Sequence, residues 1–445
     1  MGPIDALHLT GAALDGPRAE VQAAVARYAD AAREVPPFRP GVDMVPVAGR
    51  VLDAADLHAL VDASLDGWLT EGRFAELFVE GLRRTTGRTE ALLVGSGSQA
   101  NLLAIFGLCS PLLDAPLRPG DEVITPAVGF ATTVTPIYQA GLRPVYVDVE
   151  PDTLNPTTDA VEAAIGPRTR AIVAAHCLGN PFDAPAWAAL AAEHDLVLIE
   201  DCCDAFGSTI AGAPVGTFGA ASTYSFYPAH HMTTGEGGAV GVDDPTWIRA
   251  LRSLREWGRD CWCPPGVNDA CGHRFEGRYG ELPEGYDHKY VFSQLGFNFK
   301  MTDLQAALGT TQLGKLDAFG AARRANFAHL DAALRPLADR LVLPRALPGA
   351  DPSWFGYPVT LRDGGAAERR ELQRFLLERR IDSRLLLGGN LTRQPALLGA
   401  DHRIAGPLPH ADRITEASIW VGVAPGLTTA MLDWVATSIG DWLGR

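Results

Sequence analysis

The chain has 445 residues, a formal net charge of −15 and 47% hydrophobic residues, the balance of a soluble globular protein with room for two or three domains. The acidic excess argues against a nucleic-acid binder, which holds phosphate backbones with basic stripes, so any phosphate this chain binds must be met locally. Residues 1–11 lack a basic start followed by an apolar run, no segment approaches a membrane span, and seven cysteines without a secretion signal suit a reducing compartment. The expectation is a cytoplasmic protein whose thiols bind metal or do chemistry rather than form disulfides. Arginine outnumbers lysine, which hints at a GC-rich genome.

In chain order, residues 1–50 read as an N-terminal arm, with one helix from Arg18 to Arg33 and a passage punctuated by Pro36, Pro37 and Pro40. From about Thr89 short apolar runs alternate with helix-length spacers, and the runs 91–94, 122–125, 144–149, 171–175, 196–199, 222–226 and 239–242 read as strands. That alternation predicts an α/β fold with a mostly parallel sheet covered on both faces, whose ligands sit at the carboxyl ends of the strands. Residues 257–290 lose all periodicity, as functional loops do. A helical region over 303–334, closed by Pro336, leads to a smaller C-terminal α/β domain with strand signals at 357–361 and 419–423 and a helix over 366–380. The expected division is an arm at 1–50, a large domain at 51–315 and a small domain at 316–445.

Three elements at strand ends carry candidate chemistry. The turn Gly95-Ser96-Gly97-Ser98-Gln99-Ala100-Asn101 follows a strand and opens a helix, so its free amides and hydroxyls suit an anion. Such a turn is also common for structural reasons alone. Asp201 ends the run 196–199 after Glu200 and is either a solvated or capping acid or a partner for a ligand's ring nitrogen. The third element is Ser225-Phe226-Tyr227-Pro228-Ala229-His230-His231-Met232-Thr233-Thr234-Gly235-Glu236-Gly237-Gly238.

This last stretch resembles the cofactor loop of the DegT/DnrJ/EryC1/StrS aminotransferase family, with one departure: His230 stands where the family carries the lysine that forms a Schiff base with pyridoxal phosphate. The chain's only lysines, Lys289, Lys300 and Lys315, lie well beyond it. The resemblance therefore narrows to the branch that removes the C3 hydroxyl of nucleotide-linked 4-keto-6-deoxyhexoses with free pyridoxamine 5'-phosphate. It implies aminotransferase fold type I, phosphate contacts from Gly97, Ser98, Gln99 and Ser225, Phe130 stacked on the cofactor ring, and Asp201 at the pyridine nitrogen. It also implies that Asn298 reaches the phosphate of a neighbouring subunit in a homodimer and that His230 is the catalytic base, for which an imidazole pKa near neutrality is suited. The plain alternatives are a core phenylalanine at Phe130 and a turn asparagine at Asn298. Asp204 departs from the aminotransferase pattern of an amide or histidine and receives no role. Arg384 and Arg393 are candidate contacts for an anionic substrate, with surface or capping roles equally open.

Cys203, Cys261, Cys263 and Cys271 read C-x57-C-x-C-x7-C, a poor match to paired zinc knuckles. The same resemblance implies that they hold a [2Fe-2S] cluster fed by a separate flavin or ferredoxin-type reductase. Cys109, Cys177 and Cys202 read as small core residues. The implied activity is a 3-dehydratase acting on a nucleoside-diphosphate 4-keto sugar in deoxysugar or antibiotic biosynthesis. A sugar transaminase would need lysine at residue 230 and gives the four cysteines no task, and a non-catalytic relative would have no use for the phosphate turn and Asp201.

Overall fold

The computed structural model describes residues 9, 11–32, 36–49, 51–263 and 266–444; Arg33, the expected end of the first helix, lies outside them. The N-terminal half runs α1 (Asp15–Ala31), α2 (Ala54–Asp66), α3 (Arg73–Thr86), β1 (Glu90–Val94), α4 (Gly97–Leu108), β2 (Glu122–Pro126), α5 (Ala131–Gln139), β3 (Arg143–Val147), α6 (Thr158–Ala163), β4 (Thr169–Ala175), α7 (Ala184–Glu193) and β5 (Val197–Asp201). A two-residue hairpin, β6 (Thr209–Ile210) with β7 (Ala213–Pro214), precedes β8 (Ala221–Ser225), β9 (Gly238–Val242) and α8 (Pro245–Arg255). After the long loop come α9 (Asp303–Leu313), α10 (Leu316–Leu334), β10 (Leu341–Val342), β11 (Ala350–Asp351), β12 (Gly356–Leu361), α11 (Ala366–Glu378), β13 (Arg384–Leu385), β14 (Arg403–Ile404), α12 (Pro409–Ala417), β15 (Ser418–Gly422) and α13 (Thr429–Leu443).

The main sheet has the order β1-β9-β8-β5-β4-β2-β3-β14. Its pairs are parallel except those made by β9, which runs antiparallel to both β1 and β8. Central strands are buried along their whole length, as in β8 and β9, because helices cover both faces and leave no polar side to alternate with. One core packs α4, α5, α8 and α12 on one face, with Leu103, Ile137, Leu251 and Ile414. The other packs α3 and α7 opposite, with Phe78 and Trp187. All seven expected strands of this sheet are present. The eighth, β14, is supplied by the C-terminal part of the chain, Arg403 pairing with Val145.

A third core joins α10, α11 and α13 to the sheet β10-β12-β15-β13. The arm is tied to it at Val45, whose N–H donates to Arg380 O and whose carbonyl accepts from Asp382 N. The expected helical region at 303–334 is two helices, the break falling at Gly314 and Lys315. Asp303, buried at the start of α9, accepts the amides of Gly72 and Ala75 at 2.9 and 2.8 Å and so caps α3, whose own N-cap is a glycine without a side chain.

Candidate active site

The carboxyl ends of β5 and β8 and the first turn of α4 form the floor of a cleft of about 580 Å³, a size that suits a small-molecule ligand. Ser96 caps α4 by accepting Gln99 N at 3.1 Å, which leaves the first turn's other amides open. A Cβ at Gly97 would lie 2.4 Å from Ser225 Cβ and 3.0 Å from Cys203 Sγ, so only glycine lets the helix start this close to β8. One at Gly238 would lie 2.5 Å from Ser96 O, and that glycine lets β9 press against the same turn. Ser98 is exposed to the cleft and hydrogen-bonds Thr132 Oγ1 at 3.2 Å, and Ser225 lines the floor. Gln99 belongs to the turn instead: its side chain accepts Gly95 N at 2.8 Å and it is absent from the cleft lining.

Asp201, 3% exposed, accepts from Asn101 Nδ2 at 2.8 Å and Thr133 Oγ1 at 2.7 Å through one oxygen, and from Cys203 N at 3.1 Å through the other. Thr223 Oγ1 donates in turn to Asn101 Oδ1 at 2.5 Å. This network holds a carboxylate rigidly at the strand end and aims it into the cleft. Phe130, the N-cap position of α5, is 55% exposed on the cleft wall, which excludes the core role that a lone phenylalanine usually has. Its loop is fixed by the C-terminal segment, Gly388 N donating to Gly129 O and Leu391 N to Ala127 O.

His230 lines the same cleft, its ring 5.2 Å from that of Phe355 and its Nδ1 3.6 Å from an Asp204 carboxylate oxygen. Arg323, fully buried, donates to His230 O at 2.9 Å and to the carbonyls of Trp354 and Phe355. Burial, followed by the Arg323 charge, pushes the imidazole pKa down to about 4, so the ring is unprotonated throughout the neutral range and not half-titrated as its type alone suggests. Burial and the neighbouring Asp201 charge push Asp204 up to about 7. His231 turns the other way and bonds Ser353 O at 2.6 Å.

No lysine reaches the cleft. Lys315 pairs with Asp53 and Asp56 at 2.7 Å each, Lys289 bonds Asn268, and Lys300 lies over the Trp257 ring. Arg384 stands at the cleft mouth, where it is paired with Asp382, whereas Arg393 is paired with Asp412 at 2.5 Å and contributes nothing to the lining. Asn298 is exposed outside its own cleft, its backbone bridged to Glu256. Sequence reasoning missed Asn101, Thr133, Arg323, Phe355 and Trp420. Only Asn101 left a signal, one helical turn after Gly97 on the face of α4 that meets the strand end.

The cysteines are divided. Cys203, half-buried, lines the cleft floor, and burial with the Asp201 charge pushes its thiol pKa up. Cys261 and Cys263 line a separate groove beside Trp68, Glu71 and residues 90–92 of β1. Cys263 Sγ accepts the amide of Ala270 at 3.3 Å, and Cys271 Sγ lies 3.4 Å from His288 Nε2. The residues at the cleft fit a pyridoxamine phosphate: an open helix terminus with serines, a buried carboxylate, a free aromatic face and no lysine. Cys203 thus lines one cleft and Cys261 and Cys263 another. Among the described residues the only group of three or more metal-ligand side chains with all donor atoms within 4.8 Å of one another is His176, Glu200 and Cys202. There Glu200 already accepts from the amides of Gly216, Phe218 and Gly219 and from His176, a structural tether.

A carboxylate at the end of a parallel strand, an anion-ready helix terminus beside it and an aromatic face above define an α/β enzyme of the aminotransferase fold. The chain belongs to the DegT/DnrJ/EryC1/StrS aminotransferase family, which it matches over residues 51–440. It is 50% identical over 414 residues to a dTDP-4-dehydro-2,6-dideoxy-D-glucose 3-dehydratase of Saccharopolyspora spinosa, covering 93% of this chain and 89% of that protein. It is 47% identical over 428 residues to the lipopolysaccharide biosynthesis protein RfbH of Salmonella typhimurium, covering 96% and 98%. The solved structure of an E. coli GDP-4-keto-6-deoxy-D-mannose-3-dehydratase with bound hydrated pyridoxal phosphate superposes with a TM-score of 0.80 at 26% identity, covering 89% of this chain and 99% of that one.

Proposed function

We propose that the chain is a pyridoxamine-phosphate-dependent 3-dehydratase of a nucleoside-diphosphate 4-keto-6-deoxyhexose in deoxysugar biosynthesis. The observation that carries the reading is the imidazole of His230 in a cofactor cleft that no lysine enters. A transaminase needs a primary amine there to anchor and release its cofactor, and this cleft has none. The 50% identity to the Saccharopolyspora spinosa protein favours a dTDP-linked 4-keto-2,6-dideoxy sugar, of the kind an antibiotic pathway would use.

When bound, pyridoxamine phosphate supplies a primary amine for the C4 ketone and a ring that takes up electrons. Gly97, Ser98 and Ser225 would hold the phosphate, Phe130 would supply the stacking face, and Asp201 would keep a proton on the pyridine nitrogen. His230, neutral at working pH, would be the base for the C4' proton. Phe355 and Trp420 close the cleft from the C-terminal sheet and exclude water, and Arg384 at the mouth meets the diphosphate. Asn298 acts on the phosphate of the neighbouring subunit in a homodimer. Replacing the C3 hydroxyl by hydrogen consumes two electrons and two protons and releases water, and a flavin or ferredoxin-type reductase is the proposed electron donor. Cys203, Cys261, Cys263 and Cys271 are the proposed ligands of a [2Fe-2S] cluster. No helix of the described residues is long and apolar enough to cross a membrane, in keeping with a cytoplasmic enzyme.

The test is a mass-spectrometric screen of dTDP-, CDP- and GDP-linked 4-keto-6-deoxy sugars with pyridoxamine phosphate and a reductase present. The expected product is the 3-deoxy-4-keto sugar, formed fastest from the dTDP-linked substrate. Conversion to an amino sugar with pyridoxal phosphate and an amino donor, or no conversion of any substrate, would overturn the reading.

A further inference from the structure

The imidazole of His230 takes its place from its backbone. Its buried Nδ1 has no hydrogen-bond partner, the Asp204 oxygen at 3.6 Å being too far for one, and the ring is held by packing against Phe355, 5.2 Å between ring centres. The turn that carries it contains Pro228, which has no N–H to donate, and is closed by His230 N donating to Tyr227 O at 2.9 Å. Further anchors come from the second half of the chain. Gln312 of α9 accepts Thr233 N at 3.3 Å, Ser353 O accepts from the His231 ring at 2.6 Å, and Arg323 of α10 reaches His230 itself.

One terminal nitrogen of Arg323 donates to His230 O at 2.9 Å, and the other donates to Trp354 O and Phe355 O at 3.2 Å each. A single guanidinium therefore ties the backbone of His230 to the backbone of the aromatic residue against which its ring packs. A planar fork of donors can do this, whereas a lysine ammonium acts from one point. The guanidinium is 2% exposed and makes no ion pair with a described residue, although it feels the charge of Asp204. Burial pushes its pKa down only to about 10, so it stays a cation at neutral pH. A buried cation without a paired anion destabilises a fold, and joining α10 to the start of β12 does not require one. That joint is already made by Phe327 of α10, whose ring stacks on Trp354 at 3.8 Å. The contact that the stacking does not provide is the one to His230.

We propose that Arg323 is a positioning residue for the reaction: by holding the carbonyls of His230 and Phe355 on one guanidinium, it fixes the imidazole in the cleft where it acts as the base. The inference rests on His230 being that base, as in the reading above. It adds a residue 93 positions further along the chain that does not line the cofactor cleft. The consequence is a loss of rate without a matching loss of binding, since the phosphate turn, Asp201 and Phe130 have no contact with the guanidinium among its hydrogen bonds. A reacting group displaced by about 1 Å loses on the order of 100-fold in rate.

Arg323→Ala and Arg323→Lys are compared with the parental full-length enzyme, using pyridoxamine phosphate and a dTDP-linked 4-keto-2,6-dideoxy sugar. Exchange of the cofactor's C4' hydrogen should slow by about 100-fold in the alanine variant and by at least ~10-fold in the lysine variant, which keeps the charge but not the fork. The Kd for pyridoxamine phosphate and the KM for the sugar should stay within about threefold of parental. Millimolar guanidinium chloride should restore at least ~10-fold of the alanine variant's lost rate, and ammonium chloride at the same concentration none of it. A second readout uses cofactor-free protein treated with diethylpyrocarbonate, with modified histidines located by mass spectrometry. His230 should react severalfold faster in Arg323→Ala and return to the parental rate with guanidinium, while His176, buried elsewhere in the fold, stays unmodified. If the alanine variant does not fold, Arg323→Gln carries the rate, affinity and modification comparisons beside the lysine variant. Cofactor affinity falling as far as rate, or His176 becoming reactive together with His230, would show a merely structural arginine and overturn the proposal. Full rate in Arg323→Lys, or a folded alanine variant that guanidinium does not rescue, would overturn it too. Parental exchange in His230→Asn would instead refute the base, a separate failure that the histidine-modification result does not share.

Discussion

Replacing His230 with asparagine removes a base while leaving the cofactor's other contacts in place. The phosphate turn, Asp201 and Phe130 come from α4, β5 and the loop before α5, elements separate from the loop that carries His230, so cofactor affinity should stay within about twofold, a few tenths of a kcal/mol. Exchange of the cofactor's C4' hydrogen in the presence of substrate should slow by at least ~100-fold, the low end for loss of a general base. The structure also sets the pH profile. A histidine at its ordinary pKa of 6.5 would be only about 9% unprotonated at pH 5.5, giving a roughly tenfold loss of rate. With burial holding the group near 4, about 97% is unprotonated at pH 5.5 and the rate should be nearly flat from pH 8 down to that point. The assay is deuterium wash-in at C4' in deuterated buffer, followed by mass spectrometry at several pH values. Parental exchange in the asparagine variant would show that another group is the base. A tenfold fall between pH 8 and 5.5 in the parental enzyme would show that the imidazole is not desolvated as the structure has it.

The same burial makes stability depend on pH. The native state holds His230 unprotonated down to about 4, whereas the unfolded chain takes up the proton near 6.5, so stability is fully present above 6.5 and falls as pH drops through that window, by about 3 kcal/mol from this 15%-exposed side chain, with His231 adding in the same direction. Asp204, raised to about 7 beside it, changes stability the opposite way over the same window, so the His230 contribution is read as the difference in urea midpoint between the parental protein and His230→Asn; a difference that stays the same between pH 7 and 5 would contradict this. Gly97→Ala drives a methyl group against Ser225 Cβ at 2.4 Å and should weaken pyridoxamine phosphate binding by about tenfold, measured by fluorescence titration; undiminished affinity would show that the α4 terminus is not the phosphate site. Cys261→Ser should turn a brown, anaerobically purified protein colourless and abolish its paramagnetic signal on reduction. A colourless parental protein with stoichiometric zinc would refute the cluster ligands.

Legibility followed how local each signal was. The seven strands of the main sheet could be read because each is a short apolar run bounded by turn residues, a pattern that burial on both faces imposes on the sequence itself. Asp201, Ser225 and the turn at Gly97 could be read as cofactor elements because each sits at a strand end whose position the pattern gives. β14 left no trace: two residues, Arg403 and Ile404, become strand only because β3 offers an unpaired edge. Asp303 looks like a first-turn residue of its own helix, yet its carboxylate caps α3, some 230 residues earlier in the chain.

What the sequence determined by itself is the fold class, the order of the sheet's strands along the chain, and the chemistry that an imidazole at residue 230 allows and a missing lysine forbids. These depend on residue identity and short-range period alone. Only the tertiary structure decided how acidic His230 is, because its pKa comes from burial and from Arg323, a residue of a distant helix. It also decided that Phe130 faces a cleft and not the core, that Asp201 is held by Asn101 and Thr133, and that Cys203 lines one cleft and Cys261 and Cys263 another. A spacing of cysteines states how many residues separate them along the chain. Where the sulfurs end up depends on the width of the sheet that the intervening strands build.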